Sequence, residues 1–278
     1  MDWYRQNGRH TLPWRLTRDP YAVLVSEVML QQTQVERVLP YYRQWLERWP
    51  TFTSLAAESP AEVIRAWRGL GYNRRALNLH RLAVEVAHRY GGELPRAERD
   101  LRSLPGIGEY TAATVRSFAF EEPVAVADTN IGRVVARAVL GAASQRDVAT
   151  AQMTAALAAL LPNRDVRAHN LALMDLGATV CSARQPRCEA CPLAQRCGWR
   201  QAGMPPAAAI RTTSPRFEST ARFARGRIID ALRVAPATAA ELQAALPSAH
   251  HGRLDSYLQG LRRDGLISEQ DGRWQLPS

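Results

Sequence analysis

The chain contains no lysine; all 36 of its basic residues are arginine. Arginine stays charged and grips phosphate with a planar fork, but its guanidinium does not serve as an amine nucleophile. Chemistry that runs through a lysine Schiff base is therefore excluded. No run of about 18 uncharged apolar residues occurs, so no transmembrane helix is expected. The opening MDWYRQNGRH is polar and aromatic, unlike a secretory signal. Cysteine occurs only four times and in one stretch, which argues against a scattered secreted disulfide framework. These absences predict an intracellular, cytoplasmic protein with no membrane association, and a monomer by default.

Against 26 acidic residues the arginines leave a net charge of +10, which favours a polyanionic partner such as nucleic acid. At 278 residues and 46% hydrophobic, the chain can bury one large or two medium cores. Cys181, Cys188, Cys191 and Cys197 fall within CSARQPRCEACPLAQRC, with gaps of six, two and five residues. Four thiolates so bunched suit a tetrahedral zinc ion or an iron–sulfur cube, and the spacing alone leaves both open.

Apolar residues recur at three- and four-residue steps through YAVLVSEVMLQQTQVERVLPYYRQWLERWP, RRALNLHRLAVEVAHRY, TNIGRVVARAVLG and VRAHNLALMDLGATVC. That is the helical period, and with short Gly/Pro punctuation it predicts an all-α body over residues 1–200. Residues 201–215, QAGMPPAAAIRTTSP, have the composition of a linker. Residues 216–278 show three helical segments and a hairpin signal at Asp271-Gly272. That order is the winged-helix pattern; a generic small helical domain fits nearly as well.

The stretch SLPGIGEYTAATV predicts one helix ending near Arg102 and the next starting near Glu109. Pro105, Gly106 and Gly108 let the connection tighten, and amides at the second helix's start suit a phosphate without sequence preference. Asp128, followed by Thr and Asn, has the position of a helix N-cap.

Taken together, TLPWR, SEVMLQQTQV, GLGYNRRALNLH, LPGIGEYTA, DTNIGRVVAR and MDLGATVC, in this order and with the cysteine group, resemble the helix-hairpin-helix DNA glycosylases that carry a [4Fe–4S] cluster. The closest likeness is to the MutY type, which removes adenine opposite 8-oxoguanine. The resemblance spans about Trp3 to Trp199. It implies a six-helix barrel, residues 20–125, inserted in a cluster domain made of 1–19 and 126–200. It also implies a [4Fe–4S] cluster on the four cysteines, shaping a DNA-contacting loop that holds Arg184 and Arg187.

The resemblance assigns Glu27 as general acid, which must be protonated to act and so calls for an apolar pocket such as Val25, Val28, Met29 and Leu30 would give. Without the resemblance, Glu27 is a surface helix glutamate. Asp128 matches the carboxylate that stabilises the cationic sugar, and Asn130 a polar neighbour. Tyr110 stands where related glycosylases that also cut the backbone carry lysine, which implies a monofunctional enzyme. Gln31, Gln32 and Thr33, with Leu70 and the wedge Tyr72, match DNA-contacting positions, and Leu12 and Trp14 the base pocket. Asp175 is expected to brace a helix, and His10 is given no role. The implied partner is duplex DNA with a mismatch or an oxidised guanine. The tail departs from the family, whose second domain is usually NUDIX-like and β-rich; Arg253, Arg262 and Arg263 are its candidate DNA contacts. A thymine or uracil glycosylase of the same fold and a non-catalytic DNA-binding protein are the alternatives.

Overall fold

A computed structural model describes residues 1–207 and 215–278. The helices come in chain order. Three open the chain, α1 (Asp2–Asn7), α2 (Pro13–Leu16) and α3 (Pro20–Leu30). They are followed by α4 (Val35–Arg48), α5 (Phe52–Ala56), α6 (Pro60–Ala66) and α7 (Arg74–Tyr90). Next come α8 (Glu98–Ser103), α9 (Glu109–Phe118), α10 (Thr129–Ala138), α11 (Thr150–Ala159) and α12 (Val166–Thr179). A short α13 (Gly198–Gln201) follows the cysteines. The tail holds α14 (Ala221–Leu232), α15 (Ala239–Ala244), α16 (Leu254–Arg263) and the strands β1 (Ser268–Gln270) and β2 (Arg273–Gln275). The fold is all-α, and the strands among the described residues lie in the tail.

One stretch differs from the sequence expectation. The segment from Tyr21 to Trp49 reads as helical, yet the chain breaks between α3 and α4, at the polar residues 31–34. Gln32 there takes φ = 59°, a left-handed conformation that no helix interior accommodates. The break turns Gln31, Gln32 and Thr33 into a loop.

The chain divides into two compact units. One gathers Met1–Leu24, Arg96–Arg102 and the described residues from Ile107 to Ala207; the other gathers Val25–Pro95, Ser103–Gly106 and the described tail. In the first unit, Asn170 on α12 donates to Ser117 Oγ (2.8 Å) and to the Val124 carbonyl (2.9 Å). Asp175, fully buried, accepts from the Arg9 amide and side chain and from Arg15. It braces the N-terminal segment on α12, as expected. A buried carboxylate needs such partners, because losing one leaves an uncompensated charge.

In the second unit the tail's core takes in residues from two earlier helices. Ile228, Ile229, Leu232, Leu258 and Trp274 pack in one cluster with Ile64 of α6 and Leu77 of α7. Arg233 adds hydrogen bonds to the Ile64 carbonyl (3.0 Å) and Asn73 Oδ1 (2.8 Å). The expected order of three helices and a hairpin is present, with β1 and β2 antiparallel and Ala237 bridging Trp274 as a third strand position. Of the linker expected over 201–215, residues 208–214 lie outside the described residues.

Candidate DNA-glycosylase site

The connection expected from LPGIG is present. α8 stops at Ser103 and α9 starts at Glu109. Gly106 takes φ = 82°, and a Cβ there would lie 3.0 Å from the Asn78 side chain. Gly108 is different: it is the extended N-cap of α9, with open space where a Cβ would go. Pro105 is half-buried between the buried Leu104 and Ile107. Tyr110 sits half-buried in the first turn of α9.

Asp128 is the N-cap of α10. Its carboxylate accepts from the Ile131 amide (2.6 Å) and from Asn130 Nδ2 (3.0 Å). Asn130 Oδ1 in turn accepts from Arg133 (2.9 Å), and Arg133 also reaches the carbonyls of Gly177 (2.7 Å) and Cys181 (2.6 Å). Burial pushes the Asp128 carboxyl above its ordinary value, while the amides of Ile131 and Asn130, the Asn130 side chain and Arg133 pull the other way. α12 approaches closely enough that a Cβ on Gly177 would lie 2.6 Å from the Asn130 carbonyl oxygen. The glycine in MDLGA is thus what lets α12 seat Asn130.

Arg133 and Arg137, a turn apart on α10, lead to the cysteines. Arg137 is buried and donates to the carbonyls of Ala143 (2.9 Å), Ser182 (2.7 Å) and Ala183 (2.9 Å). Its guanidinium also lies 3.5 Å from Cys181 Sγ and stacks 4.4 Å from the centre of the Trp199 ring. Cys181, Cys188, Cys191 and Cys197 all line one cavity, with Arg137 in its wall. Burial raises the Cys191 thiol, and the other three cysteines raise it further. Among the described residues no three His, Cys, Asp or Glu side chains close to the spacing of a single bound ion. Arg184 is exposed on the loop before the cavity; Arg187 is exposed too, but its guanidinium is engaged by the Thr179 carbonyl (2.6 Å).

Glu27 is buried on α3, flanked by the buried Val25, Val28 and Met29. It is not a surface glutamate. Leu12 and Trp14 are buried in the first unit. His10 bonds the Tyr4 carbonyl (2.8 Å). Gln31 and Thr33 are half-buried and Gln32 exposed. Leu70 is buried, and Tyr72 is 42% exposed with φ = 47°, an uncommon conformation for a bulky residue. Of the tail candidates, Arg253, Arg262 and Arg263 are all exposed.

Sequence reasoning missed Arg75. Its guanidinium donates to the carbonyls of Val28 (2.8 Å), Met29 (3.0 Å) and Gln31 (2.5 Å), to Thr33 Oγ1 (3.1 Å), and to the carbonyls of Leu70 (3.0 Å) and Gly71 (3.1 Å). It therefore ties the end of α3 and the Gln31–Thr33 loop to the turn that presents Tyr72. Burial pulls it down to about 10, so it stays charged at neutral pH. The signal was present as the second arginine of GYNRR, but nothing distinguished it from the other arginines.

Residues 25–162 match the HhH-GPD superfamily of base excision DNA repair proteins. The chain is 46% identical to the adenine DNA glycosylase of Mycolicibacterium smegmatis over 284 residues, covering 99% of this chain and 94% of that one. A thermostable thymine-DNA glycosylase structure superposes with TM-score 0.66 at 31% identity, over 72% of this chain and 92% of that one. A trapped endonuclease III–DNA covalent intermediate, an estranged-adenine complex, gives 0.62 at 25% identity, over 73% and 93%. The chain belongs to the adenine DNA glycosylases of the HhH-GPD base excision repair superfamily.

Proposed function

We propose that the adenine this enzyme removes is one paired with 8-oxoguanine or guanine in duplex DNA, and that it leaves an abasic site without cutting the backbone. The observation that supports the site most strongly is Asp128, capping α10 and held by the Ile131 amide and Asn130, whose hydrogen bonds favour its carboxylate form against the opposing effect of burial. A base inside a duplex is out of reach, so the nucleotide must be swung out first. Glu27, protonated, gives its proton to N7 of adenine, and the C1′–N9 electron pair leaves with the base. Asp128, as carboxylate, faces the cationic sugar that remains. Water then attacks C1′ and returns its proton to Glu27. Asn130 orients Asp128, and Tyr110 contributes a hydroxyl rather than an amine. With no lysine in the chain, no lysine Schiff base can form.

The four cysteines fit a [4Fe–4S] cluster. They share one cavity, and Arg137 in its wall lies against Cys181 as a cation that offsets thiolate charge. When bound, such a cluster fixes the loop that presents Arg184. Arg133 and Arg137 hold that loop's carbonyls in any case.

A panel of duplexes bearing A:8-oxoG, A:G, T:G or U:G, each treated with and without alkali, tests the proposal. The expected result is strand breakage at adenine only, and only after alkali. Faster cleavage at T:G or U:G would give the site to a different base, and breakage without alkali would defeat the monofunctional assignment. A brown protein absorbing near 400 nm is expected of the cluster (roughly, as for iron–sulfur thiolate centres); colourless protein with stoichiometric zinc would contradict it.

A further inference from the structure

The tail carries an exposed cation–aromatic stack that no step above uses. Arg222, on the first turn of α14, donates to the Tyr72 hydroxyl, and its guanidinium lies 4.9 Å from the centre of the Tyr72 ring. It also lies 4.8 Å from the centre of the Phe217 ring. Phe217 is 49% exposed and Tyr72 42%, so two open aromatic rings flank one guanidinium.

The stack has a built foundation. Phe217 meets Phe223 edge-to-face at 5.6 Å, and Phe223 packs at 6.0 Å from the ring of the buried His250. His250 bonds the Glu218 carbonyl (2.7 Å) and the Tyr257 hydroxyl (3.0 Å), fixing the turn that presents Phe217. Beneath Tyr72, Arg75 lies 5.6 Å from the ring. Charge points the same way. Arg74 and Arg225 are both answered by Asp264, whereas Arg222 makes no ion pair among the described residues. Its guanidinium is exposed and near both rings.

We propose that Phe217 and Arg222 join Tyr72 in one DNA-contacting ledge, so that the tail belongs to the nucleic-acid interface and grips the duplex where the base has left the stack. Aromatic faces take unstacked bases, and a guanidinium between them suits both phosphate and base. The inference rests on reading Tyr72 as the wedge of a DNA glycosylase.

The test is a binding titration of the full chain with a duplex that carries a stable tetrahydrofuran abasic analogue, over a range of salt. Phe217→Ala and Arg222→Ala are each expected to weaken binding roughly 5- to 50-fold, the scale of one lost stacking contact. Arg222→Ala should also flatten the salt dependence by about one released counterion. Phe217→Trp should restore affinity, which a merely structural turn would not require. Both side chains are exposed, so the melting temperature should stay at the wild-type value. Variants that bind within twofold of wild type, with the same salt slope, would overturn the ledge and leave the tail a brace. A wild-type chain that fails to excise adenine would instead defeat the catalytic assignment, and the affinity comparison would still decide the ledge.

Discussion

Around Asp128 the restraint is a helix terminus. The carboxylate is capped on α10, held by Asn130, and backed by Arg133 and the close approach of α12 at Gly177. Around Tyr72 the restraint is a single guanidinium, Arg75, collecting backbone oxygens from α3, the loop after it and the turn before Tyr72. The first arrangement restrains a carboxylate through two hydrogen bonds, the kind of positioning a reacting group requires. The second holds the backbone of two loops at left-handed residues, Gln32 and Tyr72, and leaves both side chains partly or wholly exposed. On the proposed function, the chemistry falls to a helix end and insertion into DNA to a loop.

The comparison is broken most severely at the acids. Glu27→Gln removes the proposed proton donor without changing side-chain shape, and single-turnover excision should fall by about 10²- to 10⁴-fold, with affinity for the abasic analogue unchanged. Gly177→Ala attacks the rigid side indirectly. Its methyl must displace Asn130, costing about 1–3 kcal/mol in chemical denaturation, and excision should fall more than affinity does.

On the loop side, Arg75→Ala strands six hydrogen-bond acceptors. It should cost about 2–4 kcal/mol of stability by denaturation and weaken duplex binding about tenfold (a loss of roughly 1.4 kcal/mol). At saturating DNA, however, the excision rate should stay within a few-fold of wild type. A collapse of the rate at saturation would place Arg75 with the chemistry.

The smallest effect is on stability against pH. The Asp128 carboxyl is raised in the folded state by burial, so the folded chain holds that proton more tightly than the unfolded chain. Its contribution therefore falls as pH rises through the folded value. Asparagine caps a helix as well as aspartate and carries no charge to desolvate. Asp128→Asn should melt at or above the wild-type temperature at neutral pH. That advantage should vanish as pH drops below the unfolded value of about 3.8–3.9.

Much of this was legible in the residues. LPGIG placed the end of α8 and the start of α9 within a residue, because proline and glycine punctuate helices strongly. DTN announced the cap at Asp128. The break after α3 was harder to read: its one sign is the polar run QQTQ, a composition that an exposed helical turn also accepts, and the left-handed Gln32 ends the helix there. Arg75 and Arg133 were hidden because, in a chain whose cations are all arginine, buried braces and surface charges use the same residue. Nor does periodicity say that Ile64 and Leu77 belong to the tail's core, a pairing set by packing across more than 150 residues.

The most direct measurement is single-turnover excision of adenine from an A:8-oxoG duplex by wild type and Asp128→Asn, with binding followed in parallel. The wild-type chain should produce alkali-labile sites, and the variant should bind the duplex near wild-type affinity with excision at least about 100-fold slower. A variant that excises at the wild-type rate would contradict the assignment of Asp128, and with it the account of how this site works.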